Sequence, residues 1–245
     1  MRDVAAVTAR GRRDHLEDFV RVEQPFAGGA DVLYAAVFDG HDGEAVSLRA
    51  SREMHGRVAA EMESGRPVEA AIREAFRAFD EDVAGEAGGT TAAVAVLQGR
   101  GLTVANAGDS HVLLVSRGGG TVLTTDHRLT SGTEFRRVVA AGARIQGPYV
   151  CLPDGRGLMC TRSLGDRELR GVGVIPEPAL DSRPLAVEDE WLVLASDGVW
   201  DGLDAGTVAR LAREAPTARL AANRIRDAAL AASPDNVGVV AVRLP

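Results

Sequence analysis

"VLYAAVFDGHDG", residues 32–43, carries seven apolar residues, Val32 to Phe38, directly into Asp39. A short uninterrupted run of this kind, with Val, Tyr and Phe in it, reads as a buried strand. An aspartate at the tip of such a strand has a plain explanation. Asp-Gly pairs form turns, because Asp bonds its own backbone and Gly accepts positive φ. Taken alone, the turn is the better reading of Asp39 and Gly40.

The pattern recurs, however. "LVLASDG" (192–198) sets Asp197 behind a second apolar run, and "LTVANAGDS" (102–110) sets Asp109 behind a third. "SPDNVGVVAV" (233–242) puts Asp235 just ahead of a fourth, and "HLEDF" (15–19) brings Glu17 and Asp18 together before a short strand. Several carboxylates gathered at strand ends repel one another and raise one another's pKa, so a cation should hold them. The chain has no lysine, and Arg13 alone does not balance that charge. Oxygen donors without a Cys or His cluster favour a hard divalent ion, Mg²⁺ or Mn²⁺, over zinc. One acid bridging two ions suits phosphoester hydrolysis. Gly40, lacking a Cβ, lets its carbonyl approach such an ion closely.

The rest of the chain is consistent with one domain over residues 1–245. Strands are expected at Val4–Thr8, Phe19–Val22 and Val32–Phe38, then helices at Glu44–Glu63 and Pro67–Val83. Gly-rich turns split residues 90–125 into an antiparallel meander. A helix follows at 132–141, then short strands and loops rich in Gly and Pro at 144–185, the most irregular part. A buried strand next leads through Asp197-Gly198 to a helix start. Two Ala-rich helices, Ala205–Glu214 and Thr217–Ala231, precede a last strand at Val237–Leu244. Hairpins with paired helices, rather than βαβ alternation, indicate an α+β fold of antiparallel sheets covered by helices.

Composition narrows the function. The net charge of −7 and the absence of a basic stripe argue against nucleic acid. No apolar run reaches the length of a membrane helix, and the start "MRDVAAVTARGRRDH" lacks a signal-peptide core, so a cytoplasmic, membrane-free protein is expected. Cys151 and Cys160 have no zinc-like spacing and are expected as free, buried or half-buried thiols. His15, His55, His111 and His127 share no ligand spacing and read as structural or surface residues.

In this order, "GRRDHLED" (11–18), "VFDGHDG" (37–43), "GGTTAAVAVL" (88–97), "NAGDSHVLL" (106–114), "TTDHR" (124–128), "TRSLGD" (161–166), "LASDGVWD" (194–201) and "PDNVGVVAV" (234–242) resemble the motifs of the metal-dependent type 2C serine/threonine protein phosphatases, the PPM family. The resemblance spans nearly the whole chain. It implies a four-layer αββα sandwich, two antiparallel sheets flanked by helices, with a binuclear Mn²⁺/Mg²⁺ centre in a cleft at the sheet ends. Carried over, Asp39 bridges both ions. Glu17 and the Gly40 carbonyl bind one, and Asp197 and Asp235 the other. Asp18 orients waters from behind. Asp109 with Asp197 matches a weaker third-ion position. Arg13 falls where the family captures phosphate, and His41 where it places a general acid. Asp109 also suits a plain turn in the meander, and Asp166 a residue that only fixes a loop.

The resemblance further implies phosphorylated protein substrates, targets of a Ser/Thr kinase, and a monomer. Departures are few: Leu16, His111 after "GDS", and Gly238, which leaves a supporting hydrogen bond without its hydroxyl. Residues 128–160, flap-like, match least. Two rivals stay open, a hydrolase of small phosphoesters and a phosphoprotein-binding pseudophosphatase.

Overall fold

The structure is a computed structural model and describes residues 1–244. The first half runs β1 (Val4–Ala9), β2 (Asp18–Glu23), β3 (Val32–His41), α1 (Ala45–Glu63), α2 (Val68–Asp82), β4 (Gly89–Thr90), β5 (Ala92–Gln98), β6 (Gly101–Ala107), β7 (His111–Ser116) and β8 (Gly119–Val122). Next come α3 (Gly132–Ala140), β9 (Arg144–Gln146), β10 (Tyr149–Cys151), β11 (Gly157–Leu158), β12 (Leu164–Gly165) and a 3-10 helix at Arg167–Val172. β13 (Ala179–Pro184), β14 (Asp189–Ala195), α4 (Asp197–Trp200), α5 (Ala205–Arg213), α6 (Ala218–Ala232) and β15 (Val237–Arg243) complete the chain.

Every strand pairing is antiparallel. One sheet has five strands in the order β1-β15-β14-β7-β8. The other has seven, ordered β12-β4-β3-β5-β6-β13, with β2 also paired to β3. Antiparallel strands usually alternate apolar and polar residues, yet β3 is apolar throughout, because both of its faces are covered. Leu33, Ala35 and Val37 point between the sheets and meet Leu192, Leu194 and Val240 of the other leaf. Tyr34, Ala36 and Phe38 point outward against α1 and α2, where Met54, Phe76 and Phe79 fill the layer. On the opposite side, Val193, Val239 and Ala241 pack beneath α5 and α6 with Val208, Ala222 and Ile225. The expected four-layer αββα sandwich is therefore what the chain builds.

One bound needs correction: the strand expected to end at Phe38 runs on as β3 through His41, so the plain turn is set aside for Asp39, which lies opposite Asp18 of β2. The reversal comes at Asp42 and Gly43, both at positive φ (56° and 116°). The short strands expected in the irregular stretch are present as well. β9, β10 and β11 form a third sheet, which closes over a small core of Val138, Val150, Leu152, Leu169 and Val174. No helix of the described residues is long and apolar enough to cross a membrane.

Candidate metal centre

The acids named from sequence converge where the two sheets end. Asp18 and Asp39 come from the seven-stranded sheet, and Asp109 from the β6–β7 turn that leaves it. Asp197 opens α4 behind β14, and Asp235 precedes β15, both on the five-stranded leaf. Asp39, Asp109 and Asp197 each offer a carboxylate oxygen, all within 4.8 Å of one another. Glu17, Asp18, Gly40, His41, Arg13 and Asp235 line the same cleft, which encloses about 500 Å³. Glu17 and Asp235 sit outside the tight trio. The Glu17 carboxylate is held over the 42–43 reversal, accepting from the Gly43 N–H at 2.8 Å.

Backbone and hydroxyl contacts fix these positions. A Cβ on Gly40 would stand 2.4 Å from Ser47 Oγ and 2.7 Å from the Glu17 carbonyl, so only glycine fits there. Asp18 accepts from Ser196 Oγ at 2.6 Å, and Ser196 Oγ in turn accepts from the Gly238 N–H at 2.9 Å. The hydroxyl expected to be missing at position 238 is thus supplied by Ser196, between β14 and α4. Asn236 accepts from the Glu17 N–H at 2.6 Å and donates to the Arg10 and His15 carbonyls, tying the 10–17 loop to β15. Sequence reading gave Asn236 no role, although the "PDN" triplet was the signal for it.

The electrostatics ask for a cation. Burial first, then the charges of Asp197 and Asp235, push the Asp18 carboxyl up to about 7. Burial and the charge of Asp109 do the same for Asp197, also to about 7, and Asp39 is raised well above the usual carboxylate range. Among the described residues no arginine pairs with Asp18 or Asp39. Buried, oxygen-only, mutually repelling donors of this kind fit hard divalent ions.

Two arginines reach the edges of the cluster. Arg13, largely exposed at the lip, donates through Nη2 to Asp235 at 2.7 Å. Arg128, from the "TTDHR" motif but given no role on sequence, reaches Asp109 and Asp197 together.

His41 has a partner that sequence did not assign. Its Nε2 lies 2.8 Å from Asp166 Oδ2, which also accepts from Ser163 Oγ at 2.6 Å. Asp166 adopts a left-handed φ of 49°, and a Cβ on Gly89 would collide with both Asp166 and His41. Burial alone would lower the His41 pKa, but the hydrogen bond and charge of Asp166 outweigh it and the pKa rises. Asp166 therefore does more than fix a loop. Cys151 and Cys160 are free and buried, as expected.

A two-leaf sandwich with a cation-seeking acid cleft at its strand ends is the frame of a metal-dependent phosphatase. The chain belongs to the protein phosphatase 2C family, whose model matches residues 2–237. It is 33% identical to "Probable protein phosphatase 2C 68" of Oryza sativa subsp. japonica over 98% of this chain and 77% of that protein. With "Probable protein phosphatase 2C 30" of Arabidopsis thaliana it shares 34% identity over 78% of this chain and 52% of the relative. The chain spans about half the length of several curated relatives that it matches. The crystal structure of serine-threonine phosphatase 2C from Toxoplasma gondii has the same fold, with a TM-score of 0.89 at 21% identity over 100% of this chain and 95% of that one.

Proposed function

We propose that this chain hydrolyses phosphoserine and phosphothreonine monoesters in proteins at a binuclear Mn²⁺ or Mg²⁺ centre. The observation that carries the proposal is the trio of buried Asp109 with half-buried Asp39 and Asp197, set among Asp18, Glu17 and Asp235 with no internal cation on Asp39. Asp39 would bridge, Glu17 and the Gly40 carbonyl would serve one ion, and Asp197 and Asp235 the other. When bound, such ions supply positive charge for the phosphoryl oxygens and a water acidic enough to attack at neutral pH.

The chain's own groups do the remaining work. Asp18, held by Ser196, orients a water from behind. Arg13 spends one Nη on Asp235, and its fork presents further donors at the lip, suited to two phosphate oxygens. His41 donates to Asp166 through Nε2, so Nδ1 is the atom left to protonate the departing serine or threonine oxygen. The raised pKa favours the protonated ring that this role needs. The reading extends to a cytoplasmic monomer that opposes a Ser/Thr kinase, and the net charge of −7 supports a partner other than nucleic acid.

Hydrolysis of a phosphoserine peptide and of p-nitrophenyl phosphate, titrated with Mn²⁺ and Mg²⁺, tests the proposal. Both activities should vanish in EDTA and return with metal. His41→Ala should slow the peptide by roughly 10²-fold while sparing the aryl ester, whose leaving group needs no proton. Activity surviving exhaustive EDTA would remove the metal centre. Turnover of free phosphometabolites above phosphopeptides would favour a small-phosphoester hydrolase.

A further inference from the structure

Arg128 has a geometry unlike that of the other arginines. Its Nε donates to Asp109 Oδ2 at 2.6 Å and Nη2 to Asp197 Oδ2 at 3.3 Å. Nη1 and Nη2 reach the two Asp201 oxygens at 3.0 and 3.4 Å. One guanidinium thus spends all three of its nitrogens on three carboxylates, two of which belong to the acid trio. The residue is anchored from behind. His127 is fully buried, and its carbonyl accepts from the Thr161 N–H at 2.7 Å and Thr161 Oγ1 at 2.9 Å. Arg128 itself forms a backbone bridge with Cys160, and its carbonyl takes the Ser131 N–H at 3.0 Å. A planar fork fixed at its base and filled at its tip is poorly exchanged for solvent.

We infer that Arg128 is the resident cation of the Asp109–Asp197–Asp201 corner, and that a divalent ion enters this corner only by displacing it. The inference rests on the metal-dependent reading above and adds to it a tethered competitor. Two positive groups cannot share the same carboxylate oxygens, so each weakens the other. Arg128 also begins the 128–160 segment, whose sheet β9–β11 borders the cleft through Tyr149, Gly157 and Leu158. Displacing the side chain removes its hold between that segment and the acids. Divalent-ion concentration would then set how firmly the segment is tied down.

Calorimetric titration of Mn²⁺ into metal-stripped wild type, Arg128→Gln and Arg128→Lys, with hydrogen exchange of residues 126–131, tests this. Wild type should take up two ions, with a third absent or weak. Arg128→Gln should bind a third ion at least roughly tenfold more tightly, and Arg128→Lys, which keeps the charge but not the fork, should fall between it and wild type. In wild type, exchange at 126–131 should rise as any third ion binds and not while the first two bind. Equal third-ion affinity in wild type and Arg128→Gln overturns the inference, as does uptake of a third ion without change at 126–131. Should Arg128→Gln fail to fold, Arg128→Lys still decides, because third-ion affinity there no tighter than in wild type overturns the inference. Binding of no divalent ion by wild type would instead bring down the metal-dependent reading itself.

Discussion

Asp39→Asn takes one charge from the middle of the acid cluster and leaves the β3 backbone pairing untouched. Turnover should fall below a few per cent, a loss of more than about 2 kcal/mol in transition-state stabilisation. The metal-free protein should become more stable, because burial and three neighbouring carboxylates all oppose an ionised Asp39. Activity and urea-unfolding measurements on one preparation check both signs. Asp166→Asn should act through pH. The Asp166 carboxylate raises the His41 pKa, and a general acid fails as pH rises through that pKa. Without the carboxylate the alkaline limb of kcat for a phosphoserine peptide should move to lower pH, with p-nitrophenyl phosphate much less affected. The individual acids were legible because each stood directly before or after an expected strand. The partners of His41 and Arg128 were not, since His41 meets Asp166 across 125 residues and Arg128 meets Asp197 across 69, which only folding brings together.

Regular elements with strong periodicity lay close to where the sequence placed them. α1 spans Ala45–Glu63 against an expected Glu44–Glu63, and α2 buries Ala71, Ile72, Ala75, Phe76 and Phe79 at helical spacing. Pieces with no apolar run of their own escaped: the 3-10 helix at Arg167–Val172 and the two-residue strand β4. These are held by partners rather than by propensity. The flap shows how. Glu134 of α3 is buried and accepts from Thr161 Oγ1 at 2.6 Å, Arg162 Nη2 at 2.9 Å and Arg137 Nη1 at 2.6 Å. Glu134→Ala leaves two arginines without their acid and should cost about 3 kcal/mol, read from urea unfolding. The hydrogen bonds of Arg162 and Arg137 overcome burial and hold the Glu134 carboxyl below its usual range. Its contribution is therefore complete above the ordinary glutamate pKa and fades as acid protonates the folded state.

Across the molecule the cleft acids run the opposite way. Asp18 and Asp197 titrate near 7 when folded, against an ordinary value of 3.8, so between those values the folded state holds protons that the unfolded chain has released. Stability of the metal-free protein should accordingly decline as pH rises from about 4 to 7 and then level off. In EDTA the melting temperature should be lower at pH 8 than at pH 5.5. Millimolar Mn²⁺ should raise it more at pH 8, where the ligands are already ionised. The same acids have a mechanical meaning. Asp39 belongs to one leaf and Asp197 to the other, 158 residues apart in sequence, yet the Asp197 N–H stands 3.5 Å from Asp39 Oδ2. A cation shared by these two acids rivets the leaves together at one end, as a cross-link closing a long loop would. Depriving the protein of divalent ions would then do more than stop its chemistry: it would unfasten the sandwich and expose its seam to proteases.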